Sequence, residues 1–127
     1  MMPKTTVLNW YAKDRRMTRG LEDLFNGRGL PKDFITFRLG PKWADKLRPN
    51  QRVAISISDN PQKPKVVGYA RVLSLSKKRM VLISVGELRK NIGVKNLLSL
   101  LSDTQSVYKP RSVSLHSVVS VIALNPI

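Results

Sequence analysis

The side chains in this sequence with the most chemistry to offer are cationic. Arg38, Lys42, Lys46 and Arg48 fall within one stretch, Phe34 to Arg52, and Arg71 stands beside Tyr69 in a later apolar segment. Ammonium and guanidinium groups lining a groove hold phosphate oxygens, and each such contact releases condensed counterion, so affinity falls steeply with salt. An exposed ring adds a surface on which an unpaired base stacks. Trp43 stands four residues before Leu47, so on a helix the two share a face and burial is its simpler role. For Tyr69, packing and stacking weigh the same. A second group, Lys13, Arg15, Arg16 and Arg19, follows Trp10 and Tyr11 near the amino terminus. It reads equally as an arm that touches phosphate or as the wet side of an amphipathic helix whose Leu21, Leu24 and Phe25 pack inward.

Other chemistries are thinly provided. The 127 residues include no cysteine, which removes disulfides, thiolate nucleophiles and cysteine metal sites together. The single histidine, His116, cannot build a cluster, so no structural zinc and no cofactor is expected. Charge is the dominant compositional fact: 23 Lys and Arg against 8 Asp and Glu leave a formal +15. Such an excess repels itself unless a polyanion is near, and nucleic acid is the commonest one. No apolar run approaches the roughly 20 residues of a membrane span, and the first residues lack a secretory pattern. No membrane partner is expected, and the expected location is the cytoplasm.

The elements that must position these groups are short. At this length one domain is expected, with 42% apolar residues to build its core. Phe34, Thr36 and Arg38 alternate with Ile35, Phe37 and Leu39, which predicts a strand with one buried and one solvated face. Gly40 makes a corner, Pro41 suits a first helical position, about two helical turns follow, and Pro49 stops them. Val53, Ile55 and Ile57 alternate with Ala54, Ser56 and Ser58 in a second half-buried strand. The turn residues 59–65 lead into a strand over Val66 to Leu75, whose Gly68 marks a bulge or a close backbone approach. Lys77, Lys78 and Arg79 read as a basic turn, Met80 to Ser84 as a short apolar strand, and Gly86 to Asn91 as a turn or short helix. Val94, Leu97, Leu98 and Leu101 predict a core helix over Val94 to Ser102, widened by Leu100. Asp103 to Pro110 is expected as a loop, and Val113 to Leu124 as a final strand containing His116. The fold class is α+β: a small mixed barrel or curled sheet closed by short helices. Residues 1–30 are expected to form a basic extension with a short helix, and residues 31–127 the domain proper.

The residues Gly40, Lys42, Asp45 and Arg48 resemble the signature of the ASCH domains of the PUA-like superfamily: glycine, lysine, an acid or threonine, then arginine. The arginine stands one position later than in that pattern. The order of later segments is also similar: a strand ending in polar residues (Val53 to Ser58), Val66 to Val72, Val85 to Leu88, an apolar helix and a terminal strand. The resemblance covers roughly Phe34 to Ile127. It implies a PUA-like barrel and, since such domains generally bind RNA or modified bases, an RNA-binding or single-strand-binding role in a cleft near Gly40 to Arg48.

Within the same family lies a hydrolase alternative, a ribonuclease or an acetylcytidine amidohydrolase. Lys42 would match the family's lysine and Glu87 its glutamate, but Asp45 stands where the threonine belongs. An aspartate there is expected to pair with Lys42 and hold its proton, which works against a lysine acting as base or nucleophile. A ribonuclease would use Lys42 or Arg48 for phosphorane charge, with a carboxylate or His116 moving the proton. A basic adaptor for an acidic protein is the remaining reading, separated from the others by whether the cations gather on one face.

Overall fold

The computed structural model describes residues 5–11, 25, 33–58, 65–92, 96–109 and 111–127. Five strands make one mixed sheet: β1 (Thr6–Tyr11), β2 (Phe34–Leu39), β3 (Arg52–Ser58), β4 (Lys65–Arg79) and β5 (Val118–Pro126), in the spatial order β1-β3-β4-β5-β2. β1 runs parallel to β3, and the other neighbours are antiparallel. Three short helices accompany them: α1 (Lys42–Lys46), α2 (Val85–Arg89) and α3 (Leu97–Val107).

The sheet curls into a half-barrel, and the contacts between its two outermost strands show how far. Trp10 of β1 and Phe34 of β2 bring their rings to 6.4 Å, although three strands separate them in the sheet. The concave face buries Leu8, Trp10, Phe34, Val53, Ile55, Ala70, Val72, Ile122 and Leu124. Trp43 and Leu47 of the α1 segment pack on this face, as their four-residue spacing predicts. The opposite face of β2 and β5 holds a second core, in which Ile35, Val119 and Val121 meet Met80, Ile83, Leu88, Leu100 and Val113. A strand between two cores has no wet face. β2 therefore buries both sides of its first half, Phe34, Ile35 and Thr36, rather than one. β3 contributes to the first core alone, yet past the exposed Arg52 it too buries residues on both sides, Ala54, Ser56 and Ser58 as well as Val53 and Ile55. The buried hydroxyls are satisfied across strands: Ser56 donates to Asn9 Oδ1 at 2.7 Å, and Asn9 Nδ2 donates to Ser58 Oγ at 2.9 Å.

Tertiary pairing moves several boundaries. Lys77 to Arg79 are not a turn, because β5 pairs them with Ser120, Val119 and Val118 and thereby extends β4. Met80–Leu82 is a 3₁₀ turn, not a strand. It swings Met80 wholly out of solvent while its N–H bonds Ser117 O. α3 starts and ends later than the apolar spacing predicts, since Asn96 caps it by accepting the Ser99 N–H at 2.9 Å and the helix runs on through residues expected as loop. Leu100 and Thr104 face the core, whereas Leu98 is 74% exposed, so the buried stripe is rotated from the predicted one. β5 begins only at Val118. His116 lies in an exposed turn ahead of it, its N–H bonded to Ser114 Oγ. Thr6–Tyr11 of the segment expected as an amino-terminal extension form β1, whose Leu8 is fully buried, while Leu21 and Leu24 of the short helix expected there lie outside the described residues. Phe25 packs edge-on against Phe34 at 6.3 Å, and a Cβ on Gly68 would overlap its ring, which is the close approach that glycine allows.

The Gly40 corner is built as a joint. Gly40 takes φ +86°, a left-handed conformation. Its N–H bonds Val118 O at 2.8 Å. The Ser120 hydroxyl, buried opposite Lys77, donates to Gly40 O at 2.7 Å and accepts the Ala44 N–H at 3.1 Å. One side chain thus satisfies an orphan amide of α1 and ties that helix to the sheet. Pro41 sits at the cap position, one residue earlier than predicted, and α1 is five residues long, shorter than the two turns expected.

Candidate nucleic-acid interface

The register of β3 against β4 decides which cations meet. Arg52 and Arg71 are direct cross-strand partners, and Ala54 opposes Tyr69 one step further along. Alternation puts Val53, Ala70 and Val72 on the concave side, so Arg52, Tyr69 and Arg71 stand together on the convex face. The Arg52 guanidinium lies 4.2 Å from the centre of the Tyr69 ring. Arg71 Nη1 donates to Asn50 O at 3.0 Å, in the turn between α1 and β3. That turn is itself pinned: Arg48 N–H donates to Gln51 Oε1 at 2.9 Å, and Gln51 Nε2 donates to Thr6 Oγ1 at 3.2 Å. Arg71 therefore reaches the turn that precedes Arg52, and Arg48 belongs to that turn through its main chain, all three residues being exposed.

The other expected residues divide into groups. Arg38 points across the concave side, where Nη1 donates to Asn9 O at 2.8 Å, Nε to Thr36 Oγ1 at 3.3 Å, and the guanidinium covers Trp10 at 4.4 Å. It braces β2 against β1. Lys42 and Lys46 are exposed on α1, with Lys46 Nζ 5.1 Å from the Trp43 ring. Asp45 does not pair with Lys42. It bonds Lys77 at 2.7 Å, because β4 runs past α1 and brings that lysine within reach. Lys13, Arg15, Arg16 and Arg19 lie outside the described residues.

Glu87 is engaged elsewhere. Its carboxylate closes a capping box with Ser84 at the start of α2, and both oxygens accept from Lys78, at 2.9 and 3.1 Å. Burial pushes its pKa up, but the Ser84 N–H and the Lys78 ammonium outweigh that and hold it below the ordinary value. A shallow depression of about 200 Å³ does open beside the Gly40 corner, lined by Leu39, Gly40, Arg111, Ser112, Ser117 and Val118. Lys42, Lys46 and Arg48 are not among its walls. Among the described residues no three His, Cys, Asp or Glu side chains converge as metal ligands, and no helix is long and apolar enough to cross a membrane.

Arg52 is the member of the convex cluster that the sequence reading left out. It stood at the edge of an apolar run, and its relation to Arg71 depends on a bulge at Ile55/Ser56 that the alternation does not reveal. Two signals were present: Gly68, the partner of Ile55 where the register shifts, marks a bulge, and Arg52, Ala54 and Ser56 share a phase, as do Tyr69 and Arg71. Compared with protein families, with curated proteins and with solved structures, the chain has no match.

Proposed function

We propose that the protein is a nucleic-acid-binding module, for RNA or another single strand, whose phosphates are held by Arg52 and Arg71. The observation that carries this reading is their direct cross-strand pairing. Like charges placed opposite one another destabilise a sheet, and among the described residues neither arginine has a carboxylate in ion-pair contact. A phosphate bound at this pair of arginines offsets that repulsion with charge-assisted contacts. Arg48 at the adjoining turn extends the same positive edge, and the formal +15 of the chain favours any polyanion from a distance. The resemblance to ASCH domains points to the same ligand class. Lys42 and Lys46, on α1, are the second place where phosphate would be held.

Titration of labelled single-stranded RNA and DNA at several salt concentrations tests the reading. The double variant Arg52→Ala/Arg71→Ala is expected to bind at least about tenfold more weakly, with its salt slope reduced by about two. Lys42→Ala/Arg48→Ala measures the contribution of the α1 end. An unchanged affinity and slope in the first double variant removes the convex arginines from the site, and a wild-type protein that binds neither polymer overturns the function.

A further inference from the structure

The convex face carries its side chains in two rows of different chemistry. Residues in register across strands share a face, so Val7, Ala54 and Tyr69 form one row over β1, β3 and β4. Ile127 extends it, since its N–H bonds Tyr69 O at 3.0 Å. Val7 is 42% exposed, Tyr69 37% and Ile127 56%, so the row is a strip of three solvent-facing apolar side chains with the buried Ala54 between two of them. The neighbouring row is Arg52 and Arg71, with Asn125 opposite Arg71. Two residues along a strand separate the rows by roughly 6 to 7 Å, which is comparable to the distance from base to phosphate within one nucleotide.

A duplex offers this face only phosphate and sugar, and leaves the apolar strip covered by charge. A single strand offers both parts at once. We infer that the ligand is a single-stranded polynucleotide laid across the sheet, unpaired bases on the Val7–Tyr69–Ile127 strip and phosphates on the arginine row. The inference rests on the nucleic-acid reading above and deepens it. Arg52 joins the two functions, because its guanidinium over Tyr69 is both a flat surface for a base and a charge for the adjacent phosphate. The occupant follows from charge complementarity: an apolar peptide matches the strip and not the arginines, whereas an acidic peptide matches the arginines and not the strip.

The test compares four labelled ligands of equal length: a single strand, the same backbone without bases, a duplex and a polyglutamate. The wild type is expected to bind the single strand about tenfold or more tighter than the abasic strand. Tyr69→Ala is expected to abolish that ratio while leaving the salt slope unchanged, and Tyr69→Trp to keep it. Arg71→Ala is expected to lower affinity for both strands and reduce the slope by about one, with the ratio intact. Circular dichroism and a melting curve establish that each variant is folded. Equal binding of the single and abasic strands, or a Tyr69→Ala ratio like that of the wild type, overturns the stacking strip and leaves the phosphate site standing. Polyglutamate bound as tightly as the single strand overturns both.

Discussion

Arg38 shows how much the role of one residue depends on what it meets. Its fork joins β1 to β2 through Asn9 O and spans the Trp10 ring, so one cation closes the open side of the half-barrel. Hydrogen bonds from a charged donor contribute about 1.5 to 3 kcal/mol, and a cation over a ring about 0.5 to 2. Arg38→Ala is therefore expected to lower unfolding stability by about 2 to 3 kcal/mol, measured by urea titration, with little change in nucleic-acid affinity once folded. Arg38→Lys should recover only part, because a point charge cannot donate in two directions and lie flat on indole. A variant as stable as the wild type would show that the brace contributes nothing. As an arginine in an alternating strand, Arg38 looks like any surface cation. Its partner is 29 residues away in sequence, and no local pattern carries that distance.

At the scale of elements, α2 is held by charge as well as by packing. It has five residues and buries only Leu88, so its capping box and the Glu87–Lys78 pair set its position on β4. With the folded pKa of Glu87 lowered, the ionised form is favoured by folding. That stabilisation is fully present above the ordinary glutamate range and is lost as pH falls through the lowered value. Glu87→Gln is expected to be less stable than the wild type at neutral pH and to lose less on acidification, a difference read from urea midpoints between about pH 3 and pH 7. Parallel acid profiles would show that the pair is energetically silent. The helices themselves were partly legible. Trp43 and Leu47 marked the side of the α1 segment that packs on the concave core, and the leucines announced a core helix near residue 97. Where α3 starts and which way it faces were not, because an asparagine cap and the position of the second core chose among several leucines with equal claims.

For the whole molecule, the excess of cations has two opposite consequences under one variable. Added salt screens self-repulsion, so the melting temperature of the free protein is expected to rise with ionic strength. The same salt is expected to weaken nucleic-acid binding, so a complex and a free protein respond in opposite directions. A melting temperature that falls with moderate salt would mean that the ion pairs Asp45–Lys77 and Glu87–Lys78 outweigh the general repulsion. Composition and periodicity by themselves determined the net charge, the strands β2, β3 and most of β4, and the class of curled sheet with short helices, because these follow from properties of neighbouring residues. The tertiary structure alone decided that β1 completes the sheet, that β4 extends over its basic end, that Arg38 turns inward and that Arg52 faces Arg71. Each depends on which strand lies beside which, and a single bulge shifts that register without leaving a mark on the alternation of side chains.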